Sequence, residues 1–465
     1  MKWNLLFIAL FGFLFAQAQW PYVSPTDSST LRGLKHWQDQ KFGLLMHWGT
    51  YSQWGIVESW SLCPEDEGWT VRRGPYSADY QTYKAQYEAL PRIFNPVQFN
   101  PDAWADAAKH AGMKYVVFTT KHHDGFCMFD TKQTDYKITN PDYPFASNPR
   151  SNIAKEIFSS FRKRGFLIGA YFSKPDWHAK DYWWSYFPPK DRNSNYDPKK
   201  YPQRWEAFRN FTFEQLKELT GGEYGKIDIL WLDGGWVRPY ASIDTSVSWQ
   251  KTIPYEQDIR LGDMLPELKK NNPEMLVVDR SVGGALENYT TPEQEVPHQP
   301  LNHPWETCLT MANSWSYVPN DRYKSTTQIV HTLSKIVSRG GNLLLNIGPD
   351  PNGNLPDTAL ARLKEIGDWM KVHGEAIYGT QPIAPYEKEG MVFTQKGNVI
   401  YAIILNNPNS QTLEVPFHVT KAQILGSKTP CGLSIEDLGT TQITVGHARN
   451  FQTNPHATVV KMWIK

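Results

Sequence analysis

The 465-residue sequence predicts an α/β fold: a parallel-sheet domain followed by a small antiparallel β-domain. Three observations predict it. Short apolar runs alternate with helical patterns over roughly 330 residues, which is the rhythm of strands joined by crossover helices. No GxGxxG or GxxxxGK[ST] follows any of those runs, so a nucleotide-binding doubly wound sheet is disfavoured against a closed barrel. Beyond about residue 380 the period changes to strict alternation, the mark of half-buried antiparallel strands.

In chain order, Lys2 precedes the apolar run Leu5 to Phe15, and Ala16-Gln17-Ala18 supplies the small residues of a cleavage site. Residues 1–18 are therefore expected to be a signal peptide, with the mature chain secreted or periplasmic from about Gln19. That run is too short to span a bilayer, and no later stretch approaches the roughly twenty residues needed. Buried parallel strands are predicted at 42–46, 115–119, 167–172, 227–232, 275–278 and 343–347. Asn100-Pro101 opens a helix as N-cap and first-turn proline, with Trp104, Ala107, Ala108 and Ala111 on one face and Gly112 ending it. Residues 176–202, rich in Trp, Tyr, Pro and Asn, read as a long loop and a candidate site wall. Asp357 and Thr358 open a last helix with Leu360, Leu363, Ile366 and Met370 on one side. From Met391 the strands MVFTQK and NVIYAIIL flank a Gly397-Asn398 turn, followed by QTLEVPFHV and ATVVKMWIK.

Net charge is +1 with mixed signs, which gives no basic footprint for nucleic acid. Cys63, Cys127, Cys308 and Cys431 are widely spaced without a CxxC pair, against a zinc ribbon or a dense disulfide framework. Nineteen Trp, within an aromatic content of 14%, suit a site that stacks rings on sugar C–H faces, although large cores also use Trp.

In a barrel the polar residues that end apolar strands face the active site. These are His47 in FGLLMHWG, Lys121, His122, His123 and Asp124 in YVVFTTKHHDGF, Asp233 in ILWLDGGW, and Asp279 and Arg280 in VVDR. Asp233 is the candidate nucleophile, with Gly234 and Gly235 leaving room for substrate and Trp236 as a wall; the bland alternative is a turn-capping aspartate. A glycosidase needs a second carboxyl held protonated, and Glu58, Glu287, Glu293 and Glu306 are open candidates. His47, His122 and His123 invite a metal reading, but no HxH or HExxH spacing is present, and adjacent residues on an extended segment point to opposite faces. Hydrogen bonding to vicinal hydroxyls is the alternative use. No GxSxG elbow occurs.

Through KFGLLMHWGTYSQWG, YVVFTTKHHDGFCMFD, ILWLDGGW, TTPEQ, PWETC and GGNLLLNIGPDPNG, from Lys35 to Gly379, the chain resembles the α-L-fucosidases of glycoside hydrolase family 29. The resemblance implies a (β/α)8-like, TIM-type barrel (residues 19–379) and a C-terminal β-sandwich (residues 380–465). It implies a retaining α-L-fucosidase acting on fucosylated oligosaccharides or glycoconjugates, with no cofactor and no metal. Asp233 matches the family nucleophile, and His47, His122 and His123 match the histidines that hold the fucose hydroxyls. Trp60 and Tyr171 are similar to neighbouring sugar contacts, and Glu58 to another pocket residue, although Ser59 here separates a Glu and Trp that are adjacent in many relatives. Arg280, Trp305 and Trp315 are family-like positions that serve either pocket or packing. For the acid/base the order of expectation is Glu293, then Glu306, then Glu287. A catalytically silent fucose-binding protein and a metal-dependent hydrolase are the competing classes.

Overall fold

The computed structural model describes residues 21–64, 71–406, 412–427, 431–435, 440–444 and 454–464; the expected signal peptide lies outside them. The elements of the larger domain are, in order, α1 (Ser28–Gln40), β1 (Phe42–Met46), α2 (Tyr80–Glu88), α3 (Pro101–His110), β2 (Tyr115–Lys121), α4 (Ile153–Lys163), β3 (Leu167–Ser173) and α5 (Pro202–Thr220). There follow β4 (Ile229–Asp233), α6 (Leu261–Leu268), β5 (Leu276–Asp279), β6 (Glu306–Thr310), α7 (Thr326–Ser338), β7 (Asn342–Ile347) and α8 (Asp357–His373).

The seven strands are all parallel and pair in the order β5-β4-β3-β2-β1-β7-β6. That is the cyclic order of a barrel with one seam, between β5 and β6. Residues 286–294 fill the seam. They descend antiparallel to β5 through the Val278–Glu287 bridge, then rise parallel to β6 through Thr290–Trp305 and Glu293–Cys308. The result is a (β/α)8-like barrel in which an irregular segment stands in the eighth place.

Alternation along each strand sends one stripe inward. Leu45, Val117, Tyr171, Trp231, Val278, Cys308 and Leu344 form the packed interior. Leu34 and Trp37 of α1 belong to the same cluster, and Trp37 stacks on Tyr289 with ring centroids 3.8 Å apart, so α1 plugs the barrel floor. Two residues further along these stripes lie His47, Asp233, Arg280 and Asn346, at the opposite, C-terminal mouth.

The helix at Pro101 starts on the side-chain cap that Asn100 offers to the Ala103 amide, and Gly112 follows it with φ +85°. In α8, Leu363, Ile366 and Met370 are buried as expected, but Leu360 is 40% exposed; it sits on the first turn, beyond the reach of the sheet. The sequence also misses β6: its run ETCLT carries only Cys308 and Leu309 as apolar residues, and Glu306 turns into the barrel interior, where Tyr115 Oη and Trp231 Nε1 donate to it.

Beyond the barrel lie β8 (Gln381–Lys388), β9 (Met391–Lys396), β10 (Val399–Ile404), β11 (Thr412–Val415), β12 (Val419–Ile424), β13 (Gly432–Ile435), β14 (Thr441–Thr444) and β15 (Thr458–Ile464). They form a five-stranded sheet, β12-β15-β10-β9-β8, and a three-stranded one, β11-β14-β13. Phe393, Ile400, Ala402 and Val460 of the larger sheet meet Leu413, Val415 and Ile443 of the smaller, which makes a sandwich. The other face of the larger sheet carries Val392, Tyr401, Ile403 and Val459, which join the main core outside the barrel. Trp369 of α8 donates its Nε1 proton to the Ala457 carbonyl at 2.9 Å. Since this sheet is apolar on both faces, ending the chain after Gly379 is expected to expose helix surface and give insoluble protein. A soluble, cooperatively melting truncation would show that the barrel is self-sufficient.

Candidate active site

The barrel mouth opens into a cavity of about 690 Å³. His47, Glu58, Trp60, His122, His123, Tyr171, Asp233, Trp236, Glu293 and Trp315 all line it. Asp233 ends β4 and is followed by Gly234, whose φ of +85° turns the chain sharply and where a Cβ would lie 2.1 Å from Pro175 Cδ. Gly234 is thus required by backbone and packing, while Gly235 is the glycine that lines the cavity.

Asp233 does not cap a turn. Its Oδ2 accepts from Tyr171 Oη at 2.6 Å and its Oδ1 from Arg280 Nη1 at 2.9 Å. Burial pushes its pKa up, but the Arg280 charge and the Tyr171 hydrogen bond outweigh that and hold the carboxyl well below the usual carboxylate range. It is an ionised carboxylate facing the cavity. Arg280 also donates through Nη2 to Glu293 Oε2 at 2.8 Å and through Nε to Thr291 Oγ1 at 2.9 Å, with its guanidinium 4.4 Å over the Trp231 ring. One planar cation therefore joins the two carboxylates.

Burial keeps the three histidines neutral, and two of them are held as acceptors. Asn346 donates its Nδ2 proton to the Trp315 carbonyl at 2.6 Å, which turns its Oδ1 toward His47 Nδ1 at 2.8 Å. Ser173 donates to the Pro175 carbonyl at 2.6 Å, so its oxygen accepts from His123 Nδ1 at 2.7 Å. These networks assign the proton to Nδ1 in both rings and leave Nε2 as the free acceptor. His122 Nδ1 lies 2.5 Å from Ser59 Oγ. Burial pushes His47 and His123 down to about 4 and His122 well below its usual value. The Glu58 carboxyl moves the other way: burial, reinforced by Glu293 and Asp233, pushes it up to about 8 against the Ser316 amide it accepts from at 3.1 Å. At neutral pH the cavity thus presents neutral imidazoles, the Glu58 carboxylic acid and the Asp233 carboxylate, with Glu293 beside Arg280.

These shifts carry a stability prediction. Below pH 6.5 the unfolded chain protonates His47 and His123, whereas the folded chain resists until about 4. Their contribution is complete above pH 6.5 and is lost as pH falls toward 4. Because Glu58 contributes with the opposite sign over part of this window, the test is the urea midpoint of the wild type minus that of a His47→Gln, His123→Gln variant, which is expected to fall as pH drops from 6.5 to 4. A difference independent of pH would mean that these rings are charged in the fold.

Several expectations need correction. His122 and His123 do not point to opposite faces, because β2 ends at Lys121 and the pair lies in the turn beyond it, tilted together with centroids 4.2 Å apart. Glu306 is the first residue of β6 and lies at the opposite end of the interior stripe from the mouth, accepting from Tyr115 Oη at 2.5 Å and Trp231 Nε1 at 3.2 Å. Burial pushes it up to about 7, but outside the cavity. Glu287 accepts the Ser281 and Gly283 amides at 3.1 and 2.9 Å and also stands outside it. Trp305 is core. Lys121 pairs with Asp176 at 3.1 Å, Asp124 accepts from Tyr87 at 2.9 Å, and Asp279 pairs with Lys174; all three are structural. None of Cys63, Cys127, Cys308 and Cys431 forms a disulfide.

Sequence reasoning missed the cavity residues Trp249, Asn313 and Ser314, and the supports Asn346, Ser59 and Ser173. Asn346 was findable two residues beyond Leu344 on an inward stripe. Donor atoms of His122, His123 and Asp233 all lie within 4.8 Å of one another, so these residues are where a metal ion would sit. Both Asp233 oxygens are already engaged by Tyr171 and Arg280, and a guanidinium beside the carboxylate opposes a dication.

A barrel whose mouth holds three carboxyl groups among aromatic walls and neutral histidines has the site of a glycoside hydrolase. Residues 13–375 match the family model described as Alpha-L-fucosidase. Tissue alpha-L-fucosidase of Bos taurus is 29% identical over 446 residues, covering 90% of this chain and 86% of its own. Among solved structures, alpha-L-fucosidase isoenzyme 1 of Paenibacillus thiaminolyticus superposes with TM-score 0.76 at 27% identity, covering 94% of this chain and all of its own. An alpha-L-fucosidase of Bacteroides thetaiotaomicron, trapped as a covalent intermediate, shares the fold with TM-score 0.73 at 24% identity, covering 97% of this chain and 99% of its own. The chain belongs to the α-L-fucosidase family, glycoside hydrolase family 29, and is an enzyme of the glycoside hydrolase class.

Proposed function

We propose that this chain is a retaining α-L-fucosidase that removes terminal α-L-fucosyl residues from glycans or glycoconjugates by double displacement. The reading divides the chain into a signal peptide (1–18), a catalytic barrel (19–379) and a β-sandwich buttress (380–465), and makes the mature enzyme secreted or periplasmic. One observation carries it: Asp233 is an ionised, oriented carboxylate facing a cavity lined by three neutral imidazoles and the protonated Glu58. That set suits the vicinal hydroxyls of a small sugar. No helix of the described residues is long and apolar enough to cross a membrane.

In the first step an Asp233 oxygen bonds the anomeric carbon while the bond to the leaving oxygen breaks and an acid protonates that oxygen. In the second, the same group as carboxylate takes a proton from water, whose oxygen displaces Asp233 and restores the original configuration. Glu293 is proposed as this acid/base because it is half-exposed at the cavity, where both a leaving group and water have access. Glu58 is the second reading, favoured by the proton it already holds at neutral pH. The covalent intermediate trapped in the Bacteroides fucosidase supports double displacement.

Folded protein from Gln19 onward is expected to release chromophore from an aryl α-L-fucoside far faster than from the β-D- or α-D-galactoside, with the α-anomer of fucose as the first product by NMR. Fucose carries a methyl where galactose has a hydroxymethyl, so some leakage to galactosides is expected. Chelator should leave the rate unchanged. Absence of fucoside turnover would sink the assignment, a first-formed β-anomer would sink retention, and loss in chelator would restore the metal reading.

A further inference from the structure

The loop that walls the cavity continues outward into a second aromatic surface which the reaction does not use. His123 lies 5.2 Å from Trp177, and Trp177 stacks on Trp183 at 5.2 Å with the rings 9° apart. The next residue, Trp184, stacks on Tyr186 at 5.1 Å and 27°. Tyr186 is 71% exposed; Trp184 covers one ring face, and that exposure leaves the other open to solvent.

This ring is held in place. The Phe187 amide donates to the Trp184 carbonyl at 3.1 Å, closing a turn around Tyr186. Asn195 clasps the same turn: its Oδ1 accepts from the Trp184 amide at 2.8 Å, and its Nδ2 donates to the Trp184 and Phe187 carbonyls at 2.8 and 2.6 Å. Arg204 lies 4.2 Å over the Trp184 ring and is fixed by Asp181 at 2.6 Å. Tyr201 and Phe187 pack edge-on against Trp184. An ordinary exposed tyrosine is a free side chain; this one is an ordered flat surface with little entropy left to lose on binding.

We propose that Tyr186, backed by Trp184, is a remote sugar-binding platform that stacks the C–H face of a pyranose in the leaving-group glycan, so that the preferred substrates are extended oligosaccharides. The proposal rests on the fucosidase reading above. A pyranose fits the surface because it offers an apolar face to the ring and hydroxyls to the water around it. Because the platform belongs to the loop that walls the cavity, the fucose in the site and the distal sugar on Tyr186 would bind as one linked ligand, and the second contact would be intramolecular.

The test uses the full mature chain and fucosylated galactose/N-acetylglucosamine oligosaccharides of two, four and seven sugars, with the aryl fucoside as reference. In the wild type kcat/KM is expected to rise with chain length. Tyr186→Ala should lower kcat/KM on the longest responsive substrate by about 2- to 10-fold through KM, leave the aryl fucoside unchanged and flatten the length dependence. Tyr186→Phe should behave as wild type, since the ring and not the hydroxyl binds. A wild type indifferent to length, an alanine variant equally impaired on the aryl fucoside, or one unimpaired on every oligosaccharide would each overturn the platform. Failure of the wild type on the aryl fucoside as well would instead remove the fucosidase reading beneath it.

Discussion

Replacing Asp233 by Ala or Asn is expected to lower kcat/KM on an aryl α-L-fucoside by roughly 10⁴-fold or more, while fucose still binds. The reason is that no neighbour can take its place. Glu58 is held as the acid, Glu293 is paired with Arg280, and the histidines present neutral nitrogens. Asp233→Asn should also disturb Arg280, which would keep Glu293 but lose its charged partner at 2.9 Å. The alanine variant should regain turnover with added azide, giving the fucosyl azide of inverted configuration, because the small anion then occupies the space of the missing carboxylate. Turnover within about tenfold of wild type, in protein whose melting curve is intact, would remove Asp233 from the chemistry.

The second large effect separates Glu293 from Glu58. Loss of a general acid costs roughly 10²- to 10⁴-fold, and the loss shrinks when the leaving group is a good one that departs without a proton. Glu293→Gln is therefore expected to be severe on a fucosyl disaccharide and mild on an activated aryl fucoside. Azide should rescue it with retention, through the second step. Glu58→Gln keeps a hydrogen-bond donor where the protonated acid had one, so it should cost equally on both substrates and leave the pH profile unmoved. Reversal of these two patterns would transfer the acid/base role to Glu58. Arg280 donates to both Asp233 and Glu293, so it holds these two carboxyl groups side by side in either reading.

Glu58 has a further signature in stability. Its folded pKa of about 8 stands above the usual 4.5, so the unfolded chain loses the proton first and stability falls as pH rises from 4.5 to 8. Glu58→Gln should flatten that fall.

How far the site was readable depends on how each residue reaches it. His47 and Asp233 were legible because each ends a buried apolar run, and a barrel strand delivers its last residue to the mouth. His122 and His123 were legible as a pair, but not in their shared direction, since the end of β2 at Lys121 is set by pairing with β3. Glu306 misled because the PWETC segment does not reveal which end of its strand it occupies. It begins the strand instead of ending it, and so it faces the floor.

By itself the sequence determined the alternation of buried strands and helices, the change of period near residue 380, and the residue types at the strand ends. These are local properties, carried by spacing along the chain. Tertiary structure alone decided that residues 286–294 close the seam and bring Glu293 to Arg280, and that Ser59 reaches His122 while Trp60 packs on His123. It also decided which carboxyl keeps its proton and which imidazole nitrogen is bare. Those properties arise from groups as distant in sequence as His47 and Asn346, which meet at 2.8 Å. Charge state and tautomer depend on the burial and partners that such meetings create, and spacing does not record them.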